Sequence, residues 1–298
     1  MKFFWLLFLP GLWLSAQDHG SIDNKLQGED TMQNTNSEIV PDAYFPFGEP
    51  LRLVKQRDRS PKKVFVLGVY ASAVHAKWLS PKGKVLCRAL AVASEPEIFW
   101  KGDNAAEIIS QITVPPEAGY LEPAEDRFNG PSGKALDELY LKPLGFSRSN
   151  AWLCDLVPYS LMNKGQRDAI KNRYTREREK YNLRIASIPE EQSNLVIEEP
   201  RRNEILAELE ESQAGTIILL GDKPIEWFLS YVSDCKNKRL ADFGDESYGD
   251  PVSVNINGKE YKVIPLAHMR QGGSLGWHNV KWERLHRNWV EKERSKQK

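Results

Sequence analysis

Four short apolar runs constrain the fold of this chain more than any other feature. They occupy residues 64–67, 151–156, 216–220 and 260–266. The first three are almost continuously apolar, which suits strands covered on both faces of a parallel sheet. The fourth is the second arm of a hairpin that turns at Asn257-Gly258 after residues 252–256. Each run ends at residues that stop a strand or leave it polar: Gly68, Val157-Pro158, Gly221-Asp222 and Ala267-His268. Helices are expected between them: over 103–111 capped by Asp103, over 132–141 capped by Ser132, and over 167–183 and 201–212. Two more are expected, one from Pro224 onward and one over 277–293, the latter with Val280, Leu285 and Trp289 as apolar contacts. Residues 84–92 read as a hairpin strand or an insertion. Strand and helix in alternation predict an α/β fold, a three-layer α/β/α sandwich with a central, mainly parallel four-stranded sheet. Ligands of such sheets bind beyond the carboxyl ends of the strands. That rule selects residues 68–75, 155–159, 221–224 and 267–278.

A chain of 298 residues can bury a real core. Its 41 basic and 41 acidic side chains give zero net charge, so the whole molecule does not advertise a nucleic-acid partner. The charge is uneven, however: residues 165–184 carry seven basic and three acidic side chains, and residues 270–298 carry eight and three. Such runs are usually solvated helix faces, and they also suit phosphate. The three cysteines are far apart without a CxxC, and the five histidines show no metal-ligand spacing. Reduced thiols, no metal and no cofactor are the expectation, and the thiols point to the cytoplasm. There is no Walker loop, no GxGxxG and no GxSxG elbow, which leaves triphosphate and esterase chemistry without support.

The amino terminus reads differently. Lys2 precedes an apolar run over residues 3–14, followed by Ser15 and Ala16, as in a secretory signal. The run is too short to span a bilayer. The alternative is translated upstream sequence before a start at Met32, and the rest of the chain favours it. An exported protein is the other outcome. Residues 1–40 are expected to be signal-like or mis-started and disordered, with residues 41–298 forming the domain. No membrane span is expected, and a monomer is.

Three segments can carry chemistry. Residues 68–75 hold a Gly hinge at Gly68, hydroxyls at Tyr70 and Ser72, and the imidazole of His75; the plain alternative is a βα turn with Tyr70 in the core. Asp155 lies inside an apolar strand, where a carboxylate is costly unless paired or used. A structural hydrogen bond is its plain explanation, and a place on a pocket floor its functional one. His268 leaves the last strand into a polar, Gly-rich loop with Arg270, Gln271 and Ser274. An imidazole there suits proton or hydrogen-bond chemistry, and the loop's backbone N–H groups suit phosphate.

These segments, in this order, resemble the uracil-DNA glycosylase superfamily over about residues 60–290. The resemblance implies that residues 68–72 hold the water that attacks the sugar, that Asp155 reads a flipped base, and that His268 stabilises the departing base. It also implies phosphate contacts from Lys164, Arg167, Arg270 and the C-terminal helix, and DNA as the partner. Two departures stand out. Tyr70 stands near the place where many members carry Asp or Asn, and the base-reading position is Asp rather than Asn, an acceptor only when ionised. The implied reaction is hydrolysis of a base–deoxyribose bond; a non-catalytic nucleic-acid or nucleotide-binding module is the alternative.

Overall fold

The computed structural model describes residues 38–192, 194–231, 235–270 and 279–297. The chain opens with β1 (Ile39–Tyr44) and β2 (Pro50–Arg52), an antiparallel pair. β3 (Val64–Tyr70), β4 (Ala73–Leu79) and β5 (Val85–Ser94) follow without an intervening helix. Then come α1 (Ala105–Ser110), β6 (Tyr120–Pro123), α2 (Pro131–Ala135) and β7 (Ala151–Val157). A helical stretch holds α3 (Lys164–Ala169) and α4 (Thr175–Arg178), separated by one π-helical turn. α5 (Glu199–Ser212), β8 (Thr216–Leu220) and α6 (Asp222–Tyr231) lead to the hairpin of β9 (Val252–Ile256) and β10 (Lys259–Leu266). α7 (Val280–Ser295) closes the order.

The fold is mixed α/β. Its central sheet has five strands in the order β7-β3-β8-β10-β9. The four expected strands pair in parallel, and β9 adds an antiparallel edge, which corrects the expectation of a four-stranded sheet. The first arm of the Asn257-Gly258 hairpin joins the sheet because a two-residue turn leaves its neighbours in pairing distance. The strands of β3, β7 and β8 are buried almost throughout, as their lack of alternation requires. α5 lies on the face of Trp152 and Cys154, where Glu208 accepts a hydrogen bond from the Trp152 indole at 2.9 Å. Successive strand residues point to opposite faces, so Asp155 faces the other way, toward Phe99.

A second, three-stranded antiparallel sheet has the order β5-β4-β6. Its β5 covers the segment expected as a hairpin strand or an insertion, and β4 covers residues 73–79, where no element was expected. β4 buries Val74, Ala76 and Trp78 from one face in the cluster of the smaller sheet, while Lys77 on the other face pairs with Glu122 at 2.7 Å. The helix caps also differ: α1 starts after Asn104 and α2 after Gly130, not at Asp103 or Ser132. Val280 is 76% exposed, and Trp282, His286, Trp289 and Val290 form the buried face of α7. β1 begins at Ile39, inside the segment expected to be disordered through residue 40; the part of that expectation that falls on residues 1–37 lies outside the described residues. Among the described residues, no helix is long and apolar enough to cross a membrane.

Candidate functional site

The sheet register brings the strand ends level. Gly68 is paired with Asp155, Leu67 with Leu219, and Leu220 with Leu266. Gly221 continues the ladder by donating its N–H to the Leu266 carbonyl at 2.8 Å. His268 therefore leaves the sheet two residues beyond the row that holds Gly68 and Asp155.

Gly68 is required by a close approach. A Cβ there would lie 2.2 Å from the Asp155 Oδ1 and 2.8 Å from the tip of the Phe99 ring. The carboxylate thus fills the space over the Gly68 backbone. Phe99 supplies an apolar wall from a left-handed backbone (φ 53°), costly for an aromatic residue. Arg148 holds that backbone through the Phe99 carbonyl at 2.6 Å.

Asp155 is buried, and burial pushes its carboxyl up to about 7; Arg201 opposes this and Glu208 adds to it. Arg201 reaches from α5 to the edge of β7. It donates to the carbonyls of Asp155 at 2.6 Å and Leu156 at 3.3 Å, and to Glu208 at 3.3 Å. One guanidinium therefore occupies the outer edge of β7, fixes the Asp155 backbone and brings a positive charge close to the carboxylate.

A second buried carboxyl, Glu95, was not singled out in the sequence. It follows β5 directly, and its Oε1 accepts the Ser72 backbone N–H at 2.9 Å. Burial first, and the Asp155 charge next, hold it well above the usual carboxylate range. Its sequence signal was available: an apolar run through Ala93 that ends in Ser94-Glu95, the same pattern that drew attention to Asp155.

The stretch between β3 and β4 is pinned to the exit of β7. Ala71 donates to the Val157 carbonyl at 3.4 Å, and the Ser160 hydroxyl donates to the Ser72 carbonyl. Residues 68–75 are thus not a βα loop. Tyr70 is still in β3, paired with Val157, and His75 is in β4. Strand pairing continues past Gly68 because the exits of β3 and β7 run side by side. The Ser72 side chain is exposed.

The Tyr70 phenol is raised by burial, with Arg270 lowering it and Glu191 raising it. Tyr70 lines a small cavity of about 20 Å³ with Glu191 and Lys223, room for a single water molecule. His75 is half-buried beside Phe128, and its Nδ1 has no partner among the described residues. Burial lowers it to about 4, so the ring is neutral at pH 7.

His268 is half-buried, and burial followed by the Arg270 charge lowers it to about 4. Its Nδ1 accepts the Arg270 backbone N–H at 3.2 Å, which assigns the proton of the neutral ring to Nε2. The residue before it is clamped twice. The Ala267 N–H donates to the Tyr248 hydroxyl at 3.0 Å, and the Tyr140 hydroxyl donates to the Ala267 carbonyl at 2.8 Å. Having accepted from Ala267, Tyr248 gives its own proton to His286 Nδ1 at 2.8 Å, and His286 Nε2–H donates to Leu139 at 3.0 Å. Every member of this buried chain has a defined donor role.

The Arg270 charge acts on Tyr70, His75 and His268 alike. Lys164 is exposed in the first turn of α3, just after the N-cap Asn163. Arg167 is engaged with Glu190 at 3.1 Å. Gln271 and Ser274 lie outside the described residues. Among the described residues, no group of three or more His, Cys, Asp or Glu is placed to hold a metal ion. No protein-family model matches the chain, and no curated protein does.

Proposed function

We propose that this protein is a DNA base-excising hydrolase of the uracil-DNA glycosylase type, a three-layer α/β/α variant of that architecture with an added antiparallel edge. The observation that carries the reading is the seat of Asp155 and Phe99 over Gly68, with His268 leaving the same end of the sheet from β10, two strands from β3 and two residues beyond that row. Cleaving a base–deoxyribose bond requires a flipped base held in a dry pocket and a donor aimed at the departing charge. Phe99 offers an apolar wall to a base, Asp155 a polar edge, and neutral His268 an Nε2–H donor. A neutral donor can serve this task because its hydrogen bond strengthens as the base becomes an anion. The cavity beside Tyr70 has room for the attacking water. Arg270 and Lys164 supply charge for phosphates on either side. The test is release of a base from duplex and single-stranded DNA containing a panel of modified bases, read as abasic sites. Abasic product that is lost in His268→Ala supports the reading; none from any base refutes it.

One observation favours a binding module instead. Tyr70 stands where a water-activating carboxylate is expected, and its raised phenol keeps its proton at pH 7 and cannot act as a base. Tight binding of a modified-base oligonucleotide without any abasic product is the result that selects this alternative.

A further inference from the structure

β5 is an outer strand of the smaller sheet: among the described strands it pairs with β4 on one side and with none on the other. α3 and the π-helical turn Ile170–Tyr174 pack against β5. Helix and strand are tied at one end by Gln166, whose carboxamide accepts the Ala91 N–H at 2.9 Å and donates to the Ala89 carbonyl at 3.5 Å. Beyond that tie a groove of about 550 Å³ opens between residues 85–89 of β5 and residues 168–173 of the helical stretch. Its volume is that of a binding cleft. We propose that this groove is a docking site for a short, extended, acidic peptide segment of a partner protein, which adds as a strand to the outer edge of β5. The proposal is independent of the base-excision reading.

The edge already holds a peptide-like group. A carboxamide carries the donor and acceptor of a backbone amide, and Gln166 sets one where the backbone of a further strand would run. The polar groups of Ala89 and Ala91 therefore point away from β4. His75, the β4 partner of Ala91, agrees: its N–H and C=O turn to Asn129, away from β5. Gln166 covers only this end of the edge. At about 3.3 Å per residue, positions 85–89 offer pairing length for four or five residues of an extended chain. Two register irregularities, opposite Ala76–Trp78 and Trp78–Leu79, leave extra β5 residues in this stretch without a partner on β4. Such bulges oppose long edge-to-edge pairing, which keeps the segment short. Charge selects its chemistry. Arg88 and Arg173 line the groove, are exposed, and make no ion pair among the described residues. Unpaired cations on both walls complement Asp and Glu side chains. The π-helical turn carries Asn172 and Arg173 to the groove, and such turns recur at functional sites. A polynucleotide fits less well, because Asp168 in the lining opposes phosphates and a strand edge offers backbone pairing that only a peptide can return.

The experiment selects from a phage-displayed library of random octapeptides on the full-length protein, with acidic and basic residues equally frequent in the starting pool. Asp and Glu should be enriched, and a synthetic copy of a selected peptide should shift the NMR amide signals of residues 85–89 and 172–173. No enriched peptide, enrichment without an acidic bias, or shifts confined to other residues overturns the proposal. A scan of single backbone N-methyl groups along the peptide then tests strand addition on the unaltered protein. Methylation at alternate residues, those facing β5, should abolish binding, and methylation between them should be tolerated. Tolerance at every position overturns strand addition. Arg88→Glu with Arg173→Glu should weaken the acidic peptide by about tenfold or more and turn the selection toward Lys and Arg; Arg88→Gln with Arg173→Gln should weaken it less and leave the backbone scan unchanged. Unchanged affinity in both double variants overturns the charge match. An octathymidylate that shifts the same amides and binds more tightly than every selected peptide assigns the groove to nucleic acid and overturns the peptide reading.

Discussion

The carboxylate of Asp155 occupies the space that a side chain at Gly68 would need. The two residues are register partners on β7 and β3, and a Cβ at Gly68 would lie 2.2 Å from Oδ1. Gly68→Ala should therefore expel Asp155 from its seat or push Phe99 aside. Overpacking of this kind costs about 1–3 kcal/mol. Urea unfolding should show a lower midpoint with an unchanged m-value. An unchanged midpoint would mean that the site yields freely and that Gly68 is not held by Asp155.

Asp155→Asn should change stability in a pH-dependent way. The Asp155 carboxyl is raised to about 7 in the folded protein, above its unfolded value near 3.8. The folded state therefore holds a proton that the unfolded state releases. The penalty is absent below the unfolded pKa, grows as pH rises between the two values and is complete above about 7. Asn carries no charge and escapes it. Asp155→Asn should be no more stable than the parent at pH 4 and more stable at pH 8, by a few kcal/mol at most, on the order set by the shift. Thermal or urea unfolding at both pH values checks this, and a difference independent of pH contradicts it.

The sheet was legible in the sequence because its four parallel strands announce themselves locally. Continuous apolar runs such as those ending at Gly68 and Gly221 have no stable place except inside a doubly covered sheet. Asp155 and His268 drew attention for the related reason that a polar group at the end of such a run is costly unless it is paired or used. The second sheet was not. Ala73–Leu79 becomes β4 by pairing with β5 and β6, partners that no local pattern in 73–79 names. Glu95 carried the same local signal as Asp155, a carboxylate closing an apolar run, but that the Asp155 charge acts on it follows only from long-range folding. The Tyr248–His286 chain behind Ala267 likewise joins a loop, a strand end and the last helix, which only tertiary packing brings together.

That chain gives the next expectation. Tyr248→Phe removes the acceptor of the Ala267 N–H and the donor to His286, leaving buried groups unpaired. The stability loss should be about 1–3 kcal/mol. The base-release rate should fall with it, because the backbone that aims His268 loses one of its two anchors. If stability falls while the rate, measured well below the unfolding transition, stays at the parent's value, then Tyr248 supports the fold and not the placement of His268.

The most direct measurement is single-turnover base release by His268→Ala and Arg270→Ala beside binding titrations at several salt concentrations. Hydrogen bonding to the leaving base strengthens as charge develops, so His268→Ala should lose on the order of a hundredfold in rate while DNA affinity stays within a few-fold of the parent. Arg270→Ala should instead weaken binding and flatten its salt dependence, because a phosphate contact is made before and during cleavage. A His268→Ala protein that releases base at the parent's rate would contradict the account.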